Sequence, residues 1–113
     1  MRFLLNLFRS QTHPNIEVLT KEEFKKRIDT NTYKIIDVRT PLEFEKGHIQ
    51  GAFNFNIFNQ KKFLKEIKSL NKKSPVCVYC QSGNRSRMAS KIMIDLGFEK
   101  VYDLKGGYAN WVL

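Results

Sequence analysis

The chain has 113 residues, enough for one domain around one core. Apolar residues make up 42%, which excludes a disordered chain, and no internal repeat or low-complexity tract interrupts it. Net charge is +9, from 20 Lys and Arg against 11 Asp and Glu, but the lysines are spread through KEEFKKR, NQKKFLKEIKSLNKK and DLKGG. They read as a solvated surface rather than a recognition module, so no nucleic-acid partner is expected.

The N-terminus, MRFLLNLFRSQTHPN, would place Phe3, Leu4, Leu7 and Phe8 on one face of a short helix between Arg2 and Arg9. It is far short of the ~20 apolar residues needed to cross a membrane. It also lacks the h-region and cleavage site of a secretion signal. Residues 1–14 therefore read as an extension, offering at most a weak interfacial membrane contact through residues 1–9. Residues 15–113 read as the domain.

IEVL (Ile16–Leu19) has the composition of a short strand. TKEE then offers Thr20 and Glu23 as a capping box for a helix running to about Ile28. The nearly continuous apolar run of Tyr33–Val38 is expected of a strand buried on both faces. TPLE repeats the helix-start signal, with Thr40 as N-cap, Pro41 in the first turn and Glu43 as box partner. That helix ends near Lys46–Gly47, and GAFNFN supplies a short third strand. In QKKFLKEIKSL, Phe63, Leu64, Ile67 and Leu70 share one helical face. PVCVY (Pro75–Tyr79) is the fourth strand and the expected centre of the sheet. Met88, Ala89, Ile92, Met93 and Leu96 stripe the next helix, which Gly97 stops. Lys100–Leu104 is a fifth strand, and GGYANWVL closes the chain with a tight turn and a short helix.

Strands that alternate with helices pair in parallel through right-handed crossovers. Such sheets bind ligands at the carboxyl ends of their strands, and Cys80 stands at the carboxyl end of the fourth. The pair Cys77 and Cys80 has the spacing of a redox dithiol or half a zinc site. Strand geometry opposes both. Three steps of ~3.3 Å separate the two Cα atoms by ~10 Å, beyond the ~7 Å a disulfide tolerates. Odd spacing sends the two side chains to opposite faces. No second Cys or His pair completes a zinc site, so no metal or cofactor is expected. Cys77 is assigned to the core, and the absence of a feasible disulfide favours a reducing, cytoplasmic location.

CQSGNRS, Cys80 to Ser86, joins the fourth strand to a helix. A thiol is a poor nucleophile until it ionises, near pH ~8.5 when free. Here the unsatisfied N–H groups of a helix N-terminus, with Arg85 and Arg87 nearby, favour the thiolate. Gly83 permits the backbone conformation that folds successive N–H groups into an anion nest. No separate base is then required. His13 lies in the extension, and His48, in GHIQGA, is expected to hydrogen-bond locally.

Three segments in order, IIDVRTPLEFEKGHIQGAFN, VYCQSGNRS and VYDLKGGYANW, resemble the rhodanese family of sulfurtransferases, the match covering about Ile16 to Trp111. The resemblance implies an α/β, rhodanese-like fold, a five-stranded and mostly parallel sheet flanked by helices on both faces. It implies that Cys80 carries sulfur as a persulfide, taken from a small anionic donor such as thiosulfate and passed to a thiol or cyanide. Gln81, Ser82, Gly83, Asn84, Arg85 and Ser86 would cradle it, with Asp37, Arg39, Arg87 and Lys105 bordering the site. In this family, border residues such as Asp37 and Arg39 more often pin loops than do chemistry. Three other readings stand beside it: a persulfide carrier between proteins, suited by the lysines to an acidic partner; a non-catalytic rhodanese-like binding module, which typically lacks the cysteine; and a rhodanese-like phosphatase. The last is disfavoured by loop length, because four residues separate Cys80 from Arg85 where phosphatases of this shape carry five.

Overall fold

Continuous apolar runs bounded by capping signals leave the chain few ways to bury itself other than as a sheet covered on both sides. The structure, a computed structural model, describes residues 13–113. The membrane contact expected of residues 1–9 lies outside the described residues. Five strands form one sheet, β1 (Ile16–Leu19), β2 (Lys34–Asp37), β3 (Phe53–Asn54), β4 (Val76–Tyr79) and β5 (Val101–Leu104), in the spatial order β1-β5-β4-β2-β3. Every pairing is parallel. The strand expected at the centre, β4, is there, and all four of its residues are buried.

The helices are α1 (Lys21–Thr30), α2 (Pro41–Lys46), α3 (Gln60–Lys68), α4 (Asn84–Asp95) and α5 (Gly107–Trp111). Both expected capping boxes form, Thr20 with Glu23 and Thr40 with Glu43. They fix where α1 and α2 begin by satisfying amides that the first helical turn leaves unpaired. On one face of the sheet, Phe63 and Ile67 of α3 meet Ala89 and Met93 of α4 over Ile36, Val76, Val78 and Val101. On the other, Phe24 of α1 and Trp111 of α5 pack edge to face at 6.0 Å, over Leu19, Ile35, Cys77 and Leu104. One expectation fails here. Met88, assigned to the core stripe, is 59% exposed, because the α4 face toward the sheet is narrow and runs through Ser86, Ala89, Ser90 and Met93.

The strand alternation sorts the two cysteines. Cys77 belongs to the cluster under α1 and α5, Cys80 to the cluster under α3 and α4, and both thiols are free. Burial pushes the Cys77 thiol up to about 12, the behaviour of a core side chain.

The turn into α5 presses against the end of β4. The amides of Tyr108 and Ala109 donate to the carbonyls of Cys80 and Gln81, at 2.8 and 3.0 Å. Gly107, with φ of +62°, makes that approach possible, since a Cβ there would lie 2.5 Å from the Cys80 carbonyl oxygen and 2.6 Å from the Gln81 carbonyl carbon. Gly107→Ala is expected to destabilise the fold by roughly 2–4 kcal/mol, from left-handed strain plus overpacking against backbone. Urea denaturation of the two proteins measures it, and an unchanged midpoint would mean that α5 is free to shift.

Candidate active site

The strand-to-helix junction after β4 is where sequence and fold converge. Cys80 leaves the strand with only 1% of its surface exposed. Gly83, the N-cap of α4, takes φ of +117° and ψ of −16°, a left-handed conformation that suits glycine best. This turn brings the Gly83 N–H back onto the Cys80 sulfur at 3.1 Å. The thiol in turn donates to the Ser86 hydroxyl at 3.5 Å, and that hydroxyl donates to the Gly83 carbonyl at 3.2 Å. Of the cradle expected from Gln81 to Ser86, the Gly83 amide and the Ser86 hydroxyl thus contact the sulfur. Ser82 and Asn84 are exposed, and Ser86 is fully buried. His48 stays local, its ring stacked on Phe44 at 3.7 Å and its Nδ1 2.8 Å from the Phe44 carbonyl.

The charges are arranged differently from the simple expectation. Arg85 does stand beside the loop, but its guanidinium grips Glu43 with two hydrogen bonds of 2.7 and 2.9 Å. These bonds, helped by the Thr40 amide and hydroxyl and opposed by burial, hold the Glu43 carboxyl down to about 2. Glu43 therefore does two jobs: it completes the α2 capping box and anchors the first turn of α4 through Arg85. The sequence reveals the first job through its spacing. The second joins residues 42 positions apart and carries no local signal. Arg87 and Lys105, expected at the site border, stand exposed, and Arg87 meets the loop through its backbone amide, which donates to the Gly83 carbonyl at 3.2 Å.

Asp37 and Arg39 are brought to the site and are buried, at 0% and 2% exposure. The Arg39 Nε and Nη2 donate to the Asp37 carboxylate at 2.7 to 3.1 Å. Nη1 donates to the Gln81 side-chain oxygen at 3.0 Å, and Nη2 also to the Gly47 carbonyl at 2.8 Å. The guanidinium lies 4.5 Å from the Tyr108 ring centroid and 5.6 Å from that of Tyr79. Burial works against its charge, but Asp37 outweighs burial and holds Arg39 above its ordinary value. Both residues thus tie together segments around the loop.

Several groups at the site escaped sequence reasoning. Tyr79 is buried, and burial raises its phenol far above the ordinary range; its hydroxyl accepts the Ile49 amide at 3.0 Å. Asp103 of β5 is buried at 4% exposure, and its Oδ1 has no hydrogen-bond partner. An apolar groove of about 540 Å³ opens beside the loop, lined by Ile57, Phe58, Phe63, Leu64, Asn84, Arg85, Met88 and Ile92. Phe58 and Met88 hold 67% and 59% of their surface open to it and to solvent. Among the described residues no cluster of three or more His, Cys, Asp and Glu gathers as a metal site, and no helix is long and apolar enough to cross a membrane.

Comparison with known proteins places this geometry. The family model for the rhodanese-like domain matches residues 20–113. The chain belongs to the rhodanese-like family. It is 40% identical over 96 residues to the Bacillus subtilis protein YqhL, covering 85% of this chain and 72% of that one. It is 31% identical over 93 residues to the thiosulfate sulfurtransferase GlpE of Shewanella oneidensis, covering 82% and 89%. A rhodanese-related protein from Thermoplasma volcanium superposes with a TM-score of 0.73 at 27% identity, over 85% of this chain and 90% of its own.

The Glu43–Arg85 pair of this rhodanese-like loop makes a pH-dependent contribution with a defined sign. A carboxyl held at about 2 against ~4.3 when unfolded stabilises the fold above ~4.3, and that contribution is lost as pH falls through about 2. Glu43→Gln retains the capping partner and removes the ion pair, so it is expected to cost about 1 kcal/mol at pH 7, discounted for partial exposure. The gap between the two proteins should narrow below pH ~4.3. Urea titrations at pH 7, 5 and 3 check this; a gap of constant size would show that the ion pair contributes nothing.

Proposed function

We propose that this rhodanese-like protein is a thiosulfate-type sulfurtransferase with Cys80 as its catalytic residue. One observation carries the reading: the Cys80 sulfur sits at the start of a helix, with the Gly83 N–H directed at it from 3.1 Å. That amide and the helix N-terminus stabilise a thiolate. The thiolate attacks the outer sulfur of an anionic donor such as thiosulfate. A new sulfur–sulfur bond forms as the donor's own breaks, and sulfite departs with the electron pair. A persulfide remains on Cys80. A thiol or cyanide acceptor then attacks the outer sulfur, and Cys80 leaves as the thiolate. The residues from Gln81 to Ser86 hold the transferred sulfur, Arg85 fixes the helix that ends the loop, and Asp37 and Arg39 hold its start. No cofactor enters the cycle, and with two free thiols the proposed location is a reducing one, the cytoplasm.

Loop size separates this reading from a phosphatase. Four residues lie between Cys80 and Arg85. A phosphoryl group must lie inside a ring of N–H donors, whereas a persulfide adds a single sulfur. One further residue would add up to ~3.5 Å of chain and another donor, the larger ring an oxyanion requires. The groove beside the loop favours a second reading alongside the first, in which the acceptor thiol is carried by a partner protein. Exposed Phe58 and Met88 would meet an apolar side chain of that partner, and Lys61, Lys62, Lys65 and Lys68 of α3 an acidic surface. A non-catalytic binding module is disfavoured because the cysteine and its Gly83 amide are both in place.

Cys80→Ser is expected to abolish sulfur transfer from thiosulfate to cyanide, and Cys77→Ser, on the opposite face of the sheet, to keep most of it. Steady-state rates on the folded variants test this, together with intact mass after exposure to thiosulfate, which should show one added sulfur on Cys80. Equal loss in both variants would end the single-nucleophile mechanism. One residue inserted between Gly83 and Asn84 should lower sulfur transfer about a hundredfold, since single donors at an anion are worth ~3 kcal/mol. A native rate in the folded insertion variant would show that loop size does not select sulfur.

A further inference from the structure

Two guanidiniums hydrogen-bond around the Cys80 loop, and each is already matched by a carboxylate. Arg39 is buried against Asp37 at 2.7 Å. Arg85 gives both its terminal nitrogens to Glu43, at 2.7 and 2.9 Å. Arg85 stands in the first turn of α4 between Gly83 and Ser86, the two residues that contact the Cys80 sulfur. A bidentate pair turns the fork toward its carboxylate, and the two charges largely cancel at a distance. Glu43 is anchored in turn, its Oε1 accepting from the Thr40 amide at 3.1 Å. The Arg85 hydrogen bonds hold the Glu43 carboxyl down to about 2, so it is ionised wherever the enzyme would work. The pair is only partly buried, with side-chain exposures of 22% and 33%.

The groove beside this pair has the opposite character. Asn84 and Arg85 belong both to the loop and to the groove, whose walls are Phe58, Phe63, Leu64, Met88 and Ile92. The Phe58 ring lies 5.3 Å from the Arg85 guanidinium. Among the described residues that line the groove, Arg85 is the only charged one, and Glu43 matches its charge. The walls therefore offer a dianion little in exchange for its water. At about 540 Å³ the groove has the volume of a small-molecule site.

We propose that Glu43 is a specificity-determining residue: by holding the Arg85 guanidinium it weakens the pull of the loop on the thiosulfate dianion, and the site favours sulfur donors borne on an apolar organic group seated in the groove. The inference rests on the sulfurtransferase reading and names the donor class within it. An aromatic thiosulfonate, a monoanion, represents that class. The Cys80 thiolate attacks its outer sulfur, and a sulfur–sulfur bond forms as the bond to the sulfonyl sulfur breaks. The arenesulfinate departs with the electron pair and the persulfide stays on Cys80, so atoms and charge balance. The aromatic ring gains by leaving water for the groove. Thiosulfate follows the same path with sulfite leaving, but its second charge meets an Arg85 already matched by Glu43. Donor and acceptor use the site in turn, so the groove can seat an apolar group in each half of the cycle.

Alkylation of Cys80 tests the charge selection without turnover. Iodoacetate and iodoacetamide react alike and differ by one negative charge, so their rate ratio on the Cys80 peptide cancels any change in thiol ionisation or exposure. Cys77 is fully buried and does not compete. Glu43→Gln, with its fold checked by circular dichroism, keeps the capping acceptor and releases the Arg85 charge. The ratio of iodoacetate to iodoacetamide should rise about fivefold over native protein at low salt, and the rise should vanish in about 1 M salt. An unmoved ratio overturns the inference. With cyanide as acceptor, the thiosulfate KM should fall about fivefold in the same variant; a loop merely loosened would instead lose kcat with every donor, which overturns the inference as well. Met88→Ala, on the groove wall, should lower kcat/KM for benzenethiosulfonate about fivefold relative to thiosulfate. An equal effect on both donors shows that the groove holds no organic group and overturns the donor class. Transfer from neither donor, with the alkylation ratio shifted, sinks the sulfurtransferase reading and leaves Glu43 as the charge selector of the thiol. Transfer from both donors with the ratio unmoved sinks this inference alone.

Discussion

The buried pair of Asp37 and Arg39 is the constraint on which the site depends. A guanidinium taken out of water must be paired and fully hydrogen-bonded. Arg39 meets that demand by reaching four separate segments: Asp37 at the end of β2, Gly47 past the end of α2, Gln81 in the loop and the Tyr108 ring on α5. Asp37 also ties in β3, since its backbone carbonyl accepts from Phe55 and Asn54. Removing one member of such a pair leaves an uncompensated buried charge and typically costs about 3–5 kcal/mol. The loop therefore has a fixed start. Its end is fixed by a second pair, Arg85 with Glu43, which ties α4 to α2. Both anchors converge on the segment from Thr40 to Gly47, so α2 acts as the bracket for the loop although none of its residues is buried.

Using Arg85 as an anchor changes what faces the sulfur. Its positive charge is largely matched by Glu43, so the groups nearest the sulfur are the Gly83 N–H and the Ser86 hydroxyl at the start of α4. Dipoles at short range suit a compact anion, because each N–H must lie close to the charge it stabilises. A diffuse phosphoryl dianion would demand the free guanidinium that this loop does not offer. Charge and loop length thus point the same way, and they are independent features of the sequence.

Most of the fold is legible in the sequence because its signals are local. Two capping boxes, alternating strands and helices, and apolar runs of strand length fix the elements and make the sheet parallel. The separate fates of Cys77 and Cys80 follow from strand period alone. Met88 was misplaced because helical periodicity identifies an apolar stripe without showing its width; the sheet takes up only part of the stripe, and Met88 falls on the groove side. Asp103 was invisible for a related reason. VYDL reads as strand whether its carboxylate faces water or the core, and only the packing of α4 across β5 decides that. The Glu43–Arg85 and Arg39–Gln81 contacts each span 42 residues, and nothing within a single motif encodes such a pairing.

The Gly-Gly segment links the end of the chain to the chemistry at its centre. Helix α5 lies on the Cys77 side of the sheet, and its first amides take the carbonyls of Cys80 and Gln81. In a planar trans peptide the N–H points opposite to the C=O. Capturing those two carbonyls from the α5 side therefore directs the Gln81 and Ser82 N–H groups toward the other side, where the Cys80 sulfur lies. The Gly83 N–H already reaches the sulfur, and the Gln81 and Ser82 amides before it are turned to the same side. The close approach that sets this orientation depends on Gly107 having no Cβ. The cup is thus shaped from outside, by a turn whose sequence carries no reactive group.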